Sequence, residues 1–427
     1  MTRWTSNLPA LLPGVVRLGA VVIAASACTG ERAAADGARI RDSSGIVIVE
    51  NADPLTADST TWVLDTAPRI VIGKTDGPDP YMFGQIAGAV RLDDGRIAVA
   101  DKQTSEIRFF DSAGVFIEKV GRHGQGPGEF VNFSNMYRTA GDSLIVSDYE
   151  GGRYHVLDPR GRYVRTYRLA IKDDVVRRQN TSPQTHATFH DGTMLVTDFM
   201  KCASPRQPGV CEDTGRYMRV SERGERLASF GNHVYAREEV LLTTQGRRTY
   251  VREWLPPTFW TASGSRFYFA DATTFEIRIY SATGALERIV RADLEQLKPP
   301  SPLPLPPGLA GRPDPTGALA ARRNATVPER LAAFAGFNVD RGGNVWVMEY
   351  VPFWVPSSRT TNRWWVFDST GVLRHTVFVP RIRQTIPWVG GRYRGPEIGE
   401  DYILGVRANQ DGADEIVLFD LRKRARH

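Results

Sequence analysis

The chain has 427 residues, 41% of them hydrophobic and 24% charged, with a formal net charge of +6. That length exceeds what one ordinary globular domain needs, so several domains or a repeat architecture must account for it. The 47 arginines and seven lysines are spread through the chain rather than gathered in runs, which argues against a basic stripe for nucleic acid.

At the N-terminus, Arg3 and Arg17 precede a short apolar run, Leu18 to Ala27. A bilayer span needs about 20 residues, so this run suits the h-region of a signal peptide over residues 1–27. Cys28 follows Ala25-Ser26-Ala27. This resembles a lipobox, in which a peptidase cuts before a cysteine that is then acylated, although Ala25 stands where the motif prefers Leu. The alternative is an ordinary small-x-small cleavage site ending at Ala27. Both readings export the chain, to the periplasm or the outer surface, and the first adds a lipid anchor. Residues 28–44 are polar, rich in Ala and Gly and without periodicity, which predicts a flexible tether. Residues 45–427 are then the folded body.

One strand-turn-strand phrase recurs along that body, most clearly from Val90 to Phe116. Second strands end as IAVAD (Asp101), LIVSD (Asp148), MLVTD (Asp198), FYFAD (Asp271) and VWVME (Glu349). Third strands end at Asp111, Asp158, Ser221, Ser281, Asp368 and Asp420, and five of them lead into a turn of the type DSAG, DPRG, SERG, SATG or DSTG. Alternating β-branched and aromatic residues support strands, and the Asp/Gly pairs supply turns. Four strands per unit repeated in this way predict an all-β protein, a six-bladed propeller. The sixth unit lacks a fourth strand of its own. Arg69 to Gly77, which matches the fourth strand of the first unit, is expected to complete it and close the ring, hiding two strand edges.

The phrase GRIAVADKQTSEIRFFDSAG and the passage GRHGQGPGEF (121–130) resemble NHL-repeat propellers and the six-bladed propellers of many bacterial lipoproteins of unassigned function. The resemblance covers residues 69–169 best, then 257–291 and 335–379, and is weakest at 185–231 and 395–420. It implies the fold. NHL propellers serve as protein- or RNA-binding platforms and their relatives include lyases, so activity does not transfer with the fold.

Three blades take 10 residues between their second- and third-strand anchors, whereas 198→221 takes 23 and 349→368 takes 19. The spans 221→271 and 281→349 between blades are likewise long, at 50 and 68 residues. These loop types open onto one end of the channel, so the insertions are expected on one face, where sites commonly sit. Four segments carry them: Lys201–Tyr217, Gly231–Pro257, the Pro-rich 297–332 (a lid or a stiff spacer) and the aromatic Tyr350–Arg363.

Cys202 and Cys211, close in an exported chain, predict a disulfide; free thiols or a partial metal site are the alternative. The Asp residues ending second strands recur too often to be catalytic acids and are expected to bond the following loop. His186 and His190 are placed on the inner strand of blade 3, roughly 13 Å apart along it, too far for one ion. His123 is assigned to a structural loop. Trp254, Trp260, Phe353 and Trp354 lie in or beside insertions, where aromatic faces could stack on sugar rings or a peptide, or else cap the channel and blade junctions. No G-x-S-x-G, H-E-x-x-H, P-loop or C-x-x-C motif is present.

These features favour a non-catalytic binding or scaffold module for a protein, peptide or glycan, with the membrane reached only through the lipid at Cys28. Ligand-face candidates are His186, Trp254, Trp260, Phe353, Trp354, Asn135 and Asn338. The alternative is a metal-dependent enzyme of lyase or lactonase type. No cofactor is expected under the first reading; a single calcium or zinc ion in the central channel belongs to the second, with Asn135, His186 and Asn338 as its ligands.

Overall fold

The computed structural model describes residues 32–33, 37–57, 61–148, 152–172, 184–202, 209–243, 245–246, 248–251, 254–305, 311–314, 317–355, 360–382 and 395–424. The signal peptide and Cys28 lie outside them. In chain order come β1 (Arg32–Ala33), β2 (Arg39–Ser43), β3 (Ile46–Asn51), β4 (Trp62–Leu64) and β5 (Ile70–Ile72). Blade 1 follows as β6 (Ile86–Arg91), β7 (Ile97–Asp101), β8 (Glu106–Phe110) and β9 (Phe116–Val120). Blade 2 is β10 (Phe133–Arg138), β11 (Leu144–Asp148), β12 (Arg153–Leu157) and β13 (Tyr163–Arg168). Blade 3 is β14 (Gln184–Thr188), β15 (Met194–Met200), β16 (Gly209–Val220), β17 (Arg226–Leu242) and β18 (Arg248–Val251). Blade 4 is β19 (Thr258–Ser263), β20 (Arg266–Asp271), β21 (Glu276–Tyr280) and β22 (Leu286–Ala292). A short helix, α1 (Ala318–Arg323), precedes blade 5, which is β23 (Gly336–Val339), β24 (Val345–Met348), β25 (Thr361–Phe367) and β26 (Leu373–Pro380). Blade 6 contributes β27 (Glu397–Ile398), β28 (Tyr402–Ala408) and β29 (Asp414–Lys423).

The ring follows from side-chain alternation. In β7 all five residues are buried, because a middle strand is covered on both faces by neighbouring blades. Ile97 and Val99 point into the cluster shared with blade 6, while Ala98 and Ala100 point into the one shared with blade 2, as the two-residue period requires. The same holds around the ring, and each of the six blade junctions has its own hydrophobic cluster. Outer strands face solvent, so β9 carries three exposed residues in FIEKV.

The recurring third-to-fourth-strand turn has a physical cause. Asp111 accepts hydrogen bonds from the N–H groups of Ala113 and Val115, at 2.9 and 2.8 Å. The glycine that ends each phrase has positive φ and also abuts a neighbouring blade. A Cβ on Gly161 (φ 76°) would lie 2.6 Å from the Phe109 ring, and one on Gly371 (φ 87°) 2.7 Å from Val290. Glycine is therefore required twice, by backbone conformation and by packing.

Blade 6 obtains its outer strand from the N-terminal side. Ile70–Ile72 pair antiparallel with Leu418–Ile416, and Trp62–Leu64 pair with Lys423–Leu421. Two features depart from the sequence reading. Arg39–Ser43, assigned to a tether, is a strand, and Ile46–Asn51 pairs in parallel with β22, giving blade 4 seven strands in the order β1-β2-β3-β22-β21-β20-β19. Much of 209–242, expected as loop, is the 12- and 17-residue hairpin β16–β17. Neither the added rim strands nor the outer part of the hairpin belongs to the repeat, so neither carries its signature.

Candidate functional site

The ends of the second strands mark one face of the ring, and there each carboxylate meets an arginine. Asp101 lies 3.3 Å from Arg108, Asp148 2.7 Å from Arg153, Asp198 3.6 Å from Arg216, Asp271 2.7 Å from Arg237 and Glu349 3.3 Å from Arg363. Asp101 bonds the following Gln103 N–H, and it also holds the preceding inter-blade loop through Gly84 and Gln85. Asp148 does the same with Val131 and Asn132. Burial alone would raise the Asp148 carboxyl, but those N–H groups and Arg153 outweigh it and hold it below its usual range. These acids fix loops.

Beside Asp148 the His155 ring is fully buried, against Phe130 and bonded to Thr166. Burial, reinforced by Arg153 and opposed by Asp148, depresses its pKa to about 4. The imidazole is neutral at physiological pH.

At the opposite mouth the turns between first and second strands join one another. Ala140 donates to the His190 carbonyl and His190 to that of Gly264, linking blades 2, 3 and 4. Arg341 of blade 5 reaches past blade 6 to Asp93 of blade 1, at 2.8 Å, and also bonds Glu397 at 2.7 Å. Arg138 bonds Asp93 and Asp142, and Arg91 and Arg341 lie over the Tyr402 ring. Hydrogen bonds from Arg138, together with the charges of Arg138 and Arg341, keep the Asp93 carboxyl below its ordinary value despite partial desolvation. This cross-linked mouth leaves the other face as the way in.

That other face carries a cap. Leu241 from the blade 3 hairpin, Trp254, Leu303 from the Pro-rich segment, Ala321 of α1 and Ala325 form a hydrophobic cluster, with Trp354 of the blade 5 loop against it. Three insertions from three points of the ring thus meet. Glu239 is buried and accepts from the Thr326 N–H (2.9 Å) and hydroxyl (2.6 Å), tying β17 to the segment after α1. Arg237, bonded to Asp271, Glu212 and the Pro256 carbonyl, ties the hairpin to blade 4. Cys202 and Cys211 are disulfide-bonded, with Cα atoms 6.0 Å apart, joining the residues just after β15 to the outer part of β16.

The candidates separate into two groups. Trp254, Phe353 and Trp354 come together, with ring centroids 5.1–5.5 Å apart. Trp254 is 4% exposed, whereas Phe353 is 38% exposed and flanked by the open Val351 and Val355. Trp260 is instead a junction residue, packed edge-on against Tyr217 in the core between blades 3 and 4. His186 sits in β14 with its ring edge-on to Trp260, at a break in the β14–β15 register. His190 is not on that strand; it lies in the turn that follows. His123 makes an isolated bridge with Phe130. Asn135 lies at a register shift in β10 and its carbonyl accepts from Ser147. The Asn338 amide is spent on the Pro396 carbonyl and the Val339 N–H. Among the described residues no group of three or more His, Cys, Asp or Glu side chains is placed to hold a metal ion. The sequence reading missed Leu241, Leu303 and Glu239; the apolar pair Leu241-Leu242 inside a polar insertion was the available signal.

No curated protein matches the chain. Several solved structures are similar to the chain at low sequence identity. A Bacteroides fragilis NCTC 9343 protein named as a candidate for export is 10% identical over 88% of this chain and 100% of its own, with a TM-score of 0.49. A Staphylococcus aureus virginiamycin B lyase is 12% identical over 84% and 99%, at 0.38. A Xanthomonas campestris gluconolactonase is 14% identical over 90% of each chain, at 0.36. The chain is a six-bladed β-propeller, and its residues 78–172 match the family described as DUF5128, 6-bladed beta-propeller.

Proposed function

We propose that this protein is an exported propeller, held to a membrane through acylated Cys28, that binds a protein or peptide on its capped face without catalysis. The observation that carries this reading is the cap itself. Three insertions build a second small core on one face and leave Phe353, Val351 and Val355 open on it. An apolar patch on a rigid scaffold, next to a cross-linked and charged opposite mouth, is the form of an interaction surface. The aliphatic neighbours favour protein or peptide over a glycan. The commitment of Asn338 to backbone partners weighs against the metal-dependent enzyme.

The test is photo-crosslinking in intact cells, with a benzophenone side chain at position 353 and, for comparison, at Val115, 54% exposed on blade 1. A discrete adduct from 353, absent from 115 and lost when Val351→Ser and Val355→Ser are added, is expected. Equal patterns from both positions remove the capped face as the site.

A further inference from the structure

Blade 4 differs from the rest in having seven strands, and the three additional ones come from the N-terminal side of the chain. They are firmly docked. Val47 to Asn51 pair in parallel with Arg288 to Ala292, and Val49 is fully buried with Ala38 and Val372. Asn51 donates to the carbonyls of Arg291 and Gly371, at 2.9 and 3.0 Å, and accepts from the Leu373 N–H at 2.8 Å. The hairpin is therefore continuous with the ring. At a strand spacing of about 4.8 Å, three strands extend the blade by about 14 Å beyond the rim. Its outermost strand begins at Arg32, four positions after Cys28. Four residues span at most about 14 Å.

We propose that the lengthened blade 4 is a stalk on which the ring stands edge-on at a membrane surface, resting on the acylation of Cys28 put forward above. The strands of a blade are ordered from the channel outwards, with β19 innermost and β1 outermost in blade 4, so the stalk is radial and the channel axis lies along the plane of the membrane. Both channel mouths then look sideways, and the capped face stays open to a partner instead of being pressed against lipid. The rigid docking of β3 transmits this orientation; a loose tether would leave the ring free to tumble.

The experiment uses the full acylated chain in vesicles of phosphatidylethanolamine and phosphatidylglycerol carrying a headgroup nitroxide quencher. A single bimane fluorophore is placed through Arg39→Cys or Ser43→Cys, both exposed in β2, or through Val115→Cys on blade 1, across the ring. Quenching several-fold stronger at 39 and 43 than at 115 is the expected result. Equal quenching at the three positions in a chain whose mass shows acylation overturns the stalk and leaves the anchor standing. A mass without acyl chains overturns both.

Discussion

Blades 1 and 3 share the four-strand plan and diverge beyond it. In blade 1 the second and third strands are joined across Lys102–Ser105, and the third strand has five residues. In blade 3 the third and fourth strands run to 12 and 17 residues, and their hairpin extends beyond the ring. Their inner parts are equivalent, since Tyr217 and Phe230 are as buried in their junction as Phe109 is in its own. The difference lies in what supports the outer part. The ring is stabilised by six junction clusters closed into a circle, whereas the extension rests on one small cluster and a few polar ties. Contact density of that kind separates a cooperative unit from one that opens locally.

Two large-to-small substitutions of similar burial would break this distinction if it is wrong. Phe109→Ala removes a ring from the blade 1–2 junction and is expected to cost about 3–5 kcal/mol, lowering the global unfolding midpoint. Trp254→Ala removes an equally buried ring from the cap. It should leave the global midpoint within about 1 kcal/mol of the parent while amide exchange rises in 241–254 and 303–326. A global loss as large as that of Phe109→Ala would make ring and cap one unit.

Acid distinguishes the two regions in another way, because the buried His155 belongs to the ring. Its folded pKa is about 4 against an unfolded value of 6.5. Between those values the unfolded chain binds a proton that the folded chain does not, so stability falls as pH drops from 6.5 to 4. The loss is on the order of 3 kcal/mol. Below that window Asp148, held low by its N–H donors and Arg153, loses its charge and adds to the effect. His155→Phe should flatten the slope of urea stability between pH 6.5 and 4; an unchanged slope would place the titration elsewhere.

What the sequence made legible tracks what repeats. The phrase from Val90 to Phe116 could be recognised because its Asp or Ser cap and its positive-φ glycine against the adjacent blade serve the same purpose in five blades, so the chain writes it again each time. Closure was legible for the same reason, since Ile70–Ile72 is a displaced copy of a fourth strand. The β3 strand could not be read, because a parallel strand added at a rim repeats nothing. Trp260 and Trp254 looked alike as aromatics beside insertions. Only packing separates them, one against Tyr217 within the ring and the other against Phe353 in the cap. The hydrogen bonding of Asn338 was hidden for a comparable reason, its partner being a Pro396 carbonyl that no local pattern announces.

The smallest expected effect addresses how the cap is held. Glu239 is buried and both of its oxygens lie within 3.1 Å of the Thr326 N–H. Glu239→Gln keeps the shape and one acceptor oxygen but exchanges a charge-assisted bond for a neutral one, a loss of about 1 kcal/mol. That corresponds to a roughly five-fold rise in amide exchange at Thr326, with no change in exchange at ring positions such as Val99 or Val146. An unchanged rate at Thr326 would mean that the hydrophobic cluster alone holds the segment down. The measurement also sharpens the functional reading. A partner seated on Phe353 should slow exchange at Thr326 in the parent and in the variant alike, because it adds contacts to the cap and none to the ring.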